Sequence, residues 1–345
     1  MNRNSEEVTG MKLDDEAVRS LRQARVLREF ELGINHLDFS PNAEWLVGSG
    51  EDDQIVVYGC DTGLKKNVIF SKKYGVDLVQ FAPRSKSSAI YASTKIDDTL
   101  RYLSLVDNKY IRYFKGHGKR VCGLHMSPRD GCFLSASLDR TVRLWDLRNN
   151  NAVHTLQING RPFVSYDPEG AIFAAFPTVD SISLFDARFL SKGPFKSVPH
   201  GITSKSVEDI TGIKFSPHGR HIMLISKNQI HVFDAFTGTK LNLNLSGHAN
   251  RSGVPLEASY SPDSQFIFCG STDGRVHVWN AQKGYKVCVL KADSSSDPIR
   301  CVKFSPKHML LATGCSVVSL WFPDVRELSN FEDEDEELVM NEFLS

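Results

Sequence analysis

Between residues 34 and 322 the chain falls into short stretches that alternate apolar and polar residues with period two. Examples are Thr141-Val142-Arg143-Leu144-Trp145 and Arg275-Val276-His277-Val278-Trp279. Such alternation predicts β-strands whose two faces meet different surroundings. An aromatic or apolar residue followed by Ser, Ala or Asp and then Pro marks the end of one strand in every unit. It recurs as Phe39-Ser40-Pro41, Phe81-Ala82-Pro83, Met126-Ser127-Pro128, Tyr166-Asp167-Pro168, Phe215-Ser216-Pro217, Tyr260-Ser261-Pro262 and Phe304-Ser305-Pro306. Proline cannot donate to a strand ladder, so each copy predicts a turn.

The prolines lie 42, 45, 40, 49, 45 and 44 residues apart, and a second marker follows each by 15 to 19 residues: Tyr58, Tyr102, Trp145, Phe185, Phe233, Trp279 and Trp321. Two markers in phase over seven units, at a period of roughly 40 to 45 residues, predict a ring of four-stranded blades, an all-β seven-bladed propeller. The last unit has only three strands of its own before Pro323 and the acidic stretch beyond it. A β-capable run ahead of the first unit, residues 24 to 30, can supply the missing outer strand and remove the exposed edge. The boundaries read as an N-terminal extension over 1–22, a propeller over 23–322 and a disordered tail over 323–345.

These residues resemble the WD-repeat propellers. The resemblance rests on Gly116-His117 and Gly247-His248 ahead of units three and six, and on the closing pairs Trp145-Asp146, Phe185-Asp186, Phe233-Asp234 and Trp279-Asn280. It implies a buried hydrogen-bonded tetrad of His117, Ser137, Asp139 and Trp145 in unit three, with Ser135 as the other candidate hydroxyl, and of His248, Ser271, Asp273 and Trp279 in unit six. Ser, His and Asp also spell a hydrolase triad, but no GxSxG elbow occurs in the chain, and a nucleophile needs an exposed hydroxyl on a strained turn. The tetrads therefore read as structural, the catalytic and metal site as none, and the cofactor as none.

Charge changes the picture at the end of the chain. With 41 Lys+Arg against 41 Asp+Glu the whole is neutral, which excludes a chain basic enough to coat nucleic acid. Residues 324–345, however, hold nine acidic residues against Arg326, a net charge of −8, which leaves +8 on the remainder. The tail reads as solvated, with masking of a basic propeller face as the sharper alternative. Seven scattered cysteines without a CxxC pair and no apolar run of membrane-span length point to a reducing, intracellular setting. Lys72, Lys73, Lys119, Arg120, Arg140 and Arg161 fall in loops expected on one side of the ring, a pattern suited to an extended phosphopeptide.

Several stretches, including residues 71–78, 95–105, 107–114 and 137–148, are similar to one branch of the WD-repeat family, the COMPASS subunits. The resemblance implies a nuclear, non-catalytic scaffold. Its implied partners are a SET-domain histone lysine-4 methyltransferase, other COMPASS subunits and the serine-5-phosphorylated C-terminal repeats of RNA polymerase II. The alternatives are an adaptor in a protein phosphatase 1 transcription-termination complex, with that phosphatase's targeting subunit as partner, or a generic WD-repeat scaffold such as a ubiquitin-ligase substrate receptor. Neither sequence-specific nucleic-acid binding nor membrane contact is expected.

Overall fold

A computed structural model describes residues 13–83, 85–160, 162–176, 178–202, 210–250, 253–292 and 297–324. These build seven four-stranded antiparallel sheets arranged as the blades of a propeller. Blade three is representative: Val121–Met126 is innermost, followed outward by Cys132–Ser137, Thr141–Asp146 and His154–Gln157. The aromatic markers all fall on third strands, and Tyr58, Trp145, Phe185, Phe233, Trp279 and Trp321 are buried between adjacent sheets.

The serine that precedes the repeated proline in five of the seven units has a structural reason. Ser40, Ser216 and Ser261 are fully buried, and their hydroxyls accept hydrogen bonds from the backbone N–H of Trp45 at 2.9 Å, His221 at 3.0 Å and Phe266 at 2.9 Å. Asp167 does the same in blade four, taking the N–H groups of Ala171 and Ile172 at 2.8 and 2.9 Å. Each side chain thus pairs donors that the turn after the innermost strand would otherwise leave unmatched. These proline turns, together with the turns between third and fourth strands, form the lower face. The loops entering the innermost strands and the turns between second and third strands form the upper face.

The ring closes through an N-terminal strand, Leu21–Leu27, antiparallel to Val318–Pro323, with Leu21 opposite Pro323 and Leu27 opposite Val318. It begins three residues earlier than the run read from the sequence. Ahead of it a short helix, Asp15–Arg19, is capped by Asp14, whose carboxylate accepts the Ala17 N–H at 2.9 Å. Leu13, Ala17 and Val18 join the core shared by blades six and seven. Residues 13–22, read from the sequence as part of an extension, therefore pack as part of the ring.

Candidate functional site

The tetrad in blade three is complete. Trp145 Nε1–H donates to Ser135 Oγ at 2.7 Å, Ser135 Oγ lies 2.6 Å from His117 Nε2, and His117 Nδ1 lies 2.9 Å from Asp139 Oδ2. Asp139 also takes the Thr141 hydroxyl at 2.6 Å and the Gly118 N–H at 3.0 Å. Burial works against the charged carboxylate, but these donors outweigh it and hold the Asp139 acid at about 2. Burial lowers His117 from its ordinary value. A neutral imidazole carrying its proton on Nδ1, accepting from Ser135 at Nε2, satisfies every member of the chain.

The hydroxyl in this network is Ser135 and not Ser137, which corrects the tetrad as read from the sequence. Cross-strand register decides the matter. Trp145 pairs with Phe133, so Ser135 lies two residues further on the same face, within reach of the indole, whereas Ser137 lies another two residues, about 7 Å, beyond. Ser137 instead donates to the Lys119 carbonyl at 2.6 Å and ties the turn to the entering loop.

In blade six the four expected residues do not assemble. Trp279 pairs with Ile267, so Cys269 occupies the place of Ser135, and the Trp279 Nε1–H has no hydrogen-bond partner among the described residues. His248 turns its Nε2 to the Ser226 carbonyl at 3.2 Å. Ser271 donates to the Ala249 carbonyl at 3.2 Å, repeating the part of Ser137. The counterpart of Thr141 is Arg275, whose guanidinium lies 3.8 Å from Asp273. Blade seven follows the register rule without having been singled out: Trp321 pairs with Leu311, and its Nε1–H donates to Thr313 Oγ1 at 3.0 Å.

The basic loops lie on the upper face of blades two and three. Lys72 and Lys73 are exposed in the loop entering blade two, their ammonium groups 5.5 Å from the Phe70 ring centroid and 5.2 Å from that of Tyr74. Lys119 and Arg120 are exposed in the loop entering blade three, and Arg140 in its second turn. Arg120 differs from its neighbours, since its guanidinium bonds Asp77 at 2.9 Å and bridges blade three to blade two. Lys72, Lys73, Lys119 and Arg140 have no carboxylate partner among the described residues. Arg161 lies outside those residues. Arg140 holds φ 65°, a left-handed conformation that the equivalent position of blade six fills with Gly274 at φ 76°.

Next to Lys72 and Lys73 stands a group that sequence reasoning missed. The Arg101 guanidinium stacks 3.7 Å from the Tyr74 ring centroid and bonds both oxygens of Asp97 at 2.9 and 3.1 Å. Tyr110 meets Tyr74 edge-on at 6.2 Å, lies tilted against Tyr113 at 5.4 Å, and bonds the Tyr91 hydroxyl at 3.0 Å. The available signal was Lys109–Phe114, an outermost strand whose exposed face carries two tyrosines and Ile111 where polar residues are the norm.

The central channel, about 1090 Å³, carries charges that answer one another. Glu257 of blade six meets Lys214 of blade five at 2.6 Å, Lys303 of blade seven at 3.3 Å and His36 of blade one at 3.8 Å, while Asp38 lies 3.8 Å from Lys303. Burial raises the cost of charging Glu257, yet the two lysines hold it at about 2. This cluster ties together the blades flanking the closure.

The family model for the WD domain, G-beta repeat, matches residues 22–58, 108–146, 239–280 and 284–321. The chain is 50% identical over 318 residues to "WD repeat-containing protein 82" of Drosophila melanogaster, covering 92% of this chain and 99% of the relative. It is 36% identical to "Set1 complex component swd2" of Schizosaccharomyces pombe, covering 77% of this chain and 74% of that protein. To "COMPASS component SWD2" of Saccharomyces cerevisiae it is 30% identical, over 84% of this chain and 91% of that one.

Proposed function

The chain belongs to the WD-repeat family, in the group containing WD repeat-containing protein 82 and the Swd2 proteins, and on that premise we propose that it is a non-catalytic nuclear scaffold subunit of a COMPASS-type histone lysine-4 methyltransferase complex. Its upper face recruits that complex to the serine-5-phosphorylated C-terminal repeats of RNA polymerase II. The observation that carries the recruitment reading is the set of cations without carboxylate partners among the described residues, Lys72, Lys73, Lys119 and Arg140, on adjoining loops of blades two and three. A phosphoserine brings about 1.5 to 2 negative charges and three acceptor oxygens, which such a set can meet with charge-assisted hydrogen bonds. Arg120, neutralised by Asp77, acts as the strut between the two loops.

Fluorescence anisotropy with a polymerase-repeat peptide tests the reading. Lys119→Glu with Arg140→Glu is expected to weaken the serine-5-phosphorylated peptide by about tenfold or more and to leave the unphosphorylated peptide's weak signal unchanged. Raising salt reproduces the loss, because exposed charges are screened beyond about 8 Å at physiological ionic strength. Equal affinity for both peptides in the unaltered protein would remove the recruitment role and leave the scaffold role standing.

A further inference from the structure

The lower face of blades four and five carries the most conspicuous apolar surface left uncovered. Phe236, in the turn before the fourth strand of blade five, is 74% exposed, and Phe195 and Phe189, in the corresponding connection of blade four, are 59% and 47% exposed. Bulky aromatics left in water on the connections of neighbouring blades mark a surface built to be covered. The connection that presents two of them is firmly held. Leu190 is buried in the core between blades three and four, Leu190–Lys192 forms a 3-10 turn, and the Lys196 ammonium bonds the Phe236 carbonyl across to blade five.

The charge around these rings is positive. Asp186 is paired with Arg188 at 2.8 Å, and Asp234, which keeps its charge while accepting the N–H groups of Phe236 and Thr237 at 2.8 and 2.7 Å, is outnumbered by the cations around it. Lys192, Lys196, Arg220 and Lys240 have no carboxylate partner among the described residues, and the Lys192 ammonium sits 4.5 Å from the Phe189 ring centroid. A basic surface studded with phenylalanines fits a segment in which acidic and apolar residues are interleaved.

This chain contains such a segment. Residues 332–344 run Glu-Asp-Glu-Asp-Glu-Glu-Leu-Val-Met-Asn-Glu-Phe-Leu. Strand direction settles where it sets out: Val318–Pro323 follows a turn on the upper face and runs down its blade, so Asp324 leaves from the lower face, opposite the Lys119 and Arg140 loops. The 15 residues from Pro323 to Leu338 reach at most about 50 Å, and blade six alone stands between blade seven and blade five on this side of the ring. We infer that the C-terminal acidic segment docks on the lower face of blades four and five, its Leu338-Val339-Met340 and Phe343-Leu344 against Phe189, Phe195 and Phe236, and its carboxylates against Lys192, Lys196, Arg220 and Lys240. The segment then acts as an internal competitor for any acidic partner of that face, and the upper face stays open. This inference does not depend on the phosphopeptide reading.

Two measurements on the full chain test it from opposite sides. Hydrogen–deuterium exchange compares the unaltered protein with one carrying Leu338→Ser, Val339→Ser and Met340→Ser. Exchange around residues 188–196 and 235–240 is expected to rise by about tenfold, with no change around 71–75 and 117–120. Limited proteolysis at the glutamates of 332–337 then reads the segment itself. Phe236→Ser and, separately, Lys192→Glu are expected to speed cleavage severalfold, and so is high salt in the unaltered protein, whereas Lys119→Glu leaves the rate unchanged. Lys192 is exposed and lies outside the core, so its substitution answers for any misfolding of the Phe236 variant. Protection that shifts at 117–120 in place of 188–196, or cleavage rates equal in all variants, would overturn the inference.

Discussion

Blades three and six carry nearly the same text, Gly-His ahead of the blade and Ser-x-Asp before a closing Trp, yet only blade three closes the network. In blade three the indole, a hydroxyl, an imidazole and a carboxylate form an unbroken chain inside the protein. In blade six the same indole is buried without a partner among the described residues, and the aspartate leans toward an arginine in solvent. The difference comes down to two small positions, Ser135 against Cys269 and Thr141 against Arg275. A repeat motif states which residue types are present, while register and neighbours decide whether they meet. A network in a low-dielectric interior stabilises only when every member is paired.

The largest expected contrast is between the two aspartates. Asp139 is 13% exposed at its side chain and Asp273 42%. Asp139→Ala strips partners from His117, Thr141 and Gly118 at once and is expected to cost about 3 kcal/mol in denaturant unfolding. Asp273→Ala is expected to cost about 0.5 kcal/mol or less. Similar losses in both would mean that the blade three network has no special weight.

The same aspartate gives a pH signature. Its carboxyl, held at about 2 against an ordinary 3.8, contributes stability above the ordinary value that is lost as pH falls through the folded one. The stability gap between the unaltered protein and Asp139→Asn is therefore expected to shrink by about 2 kcal/mol between pH 5 and pH 2. A gap independent of pH over that window would show that Asp139 is not held ionised by its neighbours.

Exchanging the hydroxyl sharpens the comparison further. Ser135→Cys leaves the Trp145 N–H and His117 Nε2 poorly paired and is expected to cost about 1 kcal/mol, whereas Cys269→Ser gives Trp279 an acceptor and is expected to gain up to about 1 kcal/mol. If both exchanges destabilise, packing around the sulfur outweighs the indole's hydrogen bond. The smallest effect concerns the turn. Replacing Arg140 by Gly, as blade six does with Gly274, relieves a left-handed residue and is expected to gain about 0.5 kcal/mol while weakening the phosphorylated peptide. A gain in stability with peptide affinity unchanged would separate Arg140 from the binding surface.

The local chemistry of the repeats was legible in the sequence because it repeats. Seven proline turns in phase with seven aromatic residues define strand ends and buried positions from short-range constraints, and the deficit of one strand at the end of the chain called for a partner from its beginning. Which hydroxyl served Trp145 was not legible, since Ser135 and Ser137 share a strand face and differ only in distance from a residue on the neighbouring strand. The stacking of Arg101 on Tyr74, the neutralisation of Arg120 by Asp77 and the position of Asp324 on the lower face were settled by which loops adjoin and by the direction of the last strand. The sequence by itself determined the number of blades and the character of each turn, because those depend on residues a few positions apart. Only the tertiary structure decided which polar groups pair and which cations stay free, because pairing depends on ångström-scale distances between segments some 20 to 40 residues apart, as in His117 with Asp139 and Arg120 with Asp77.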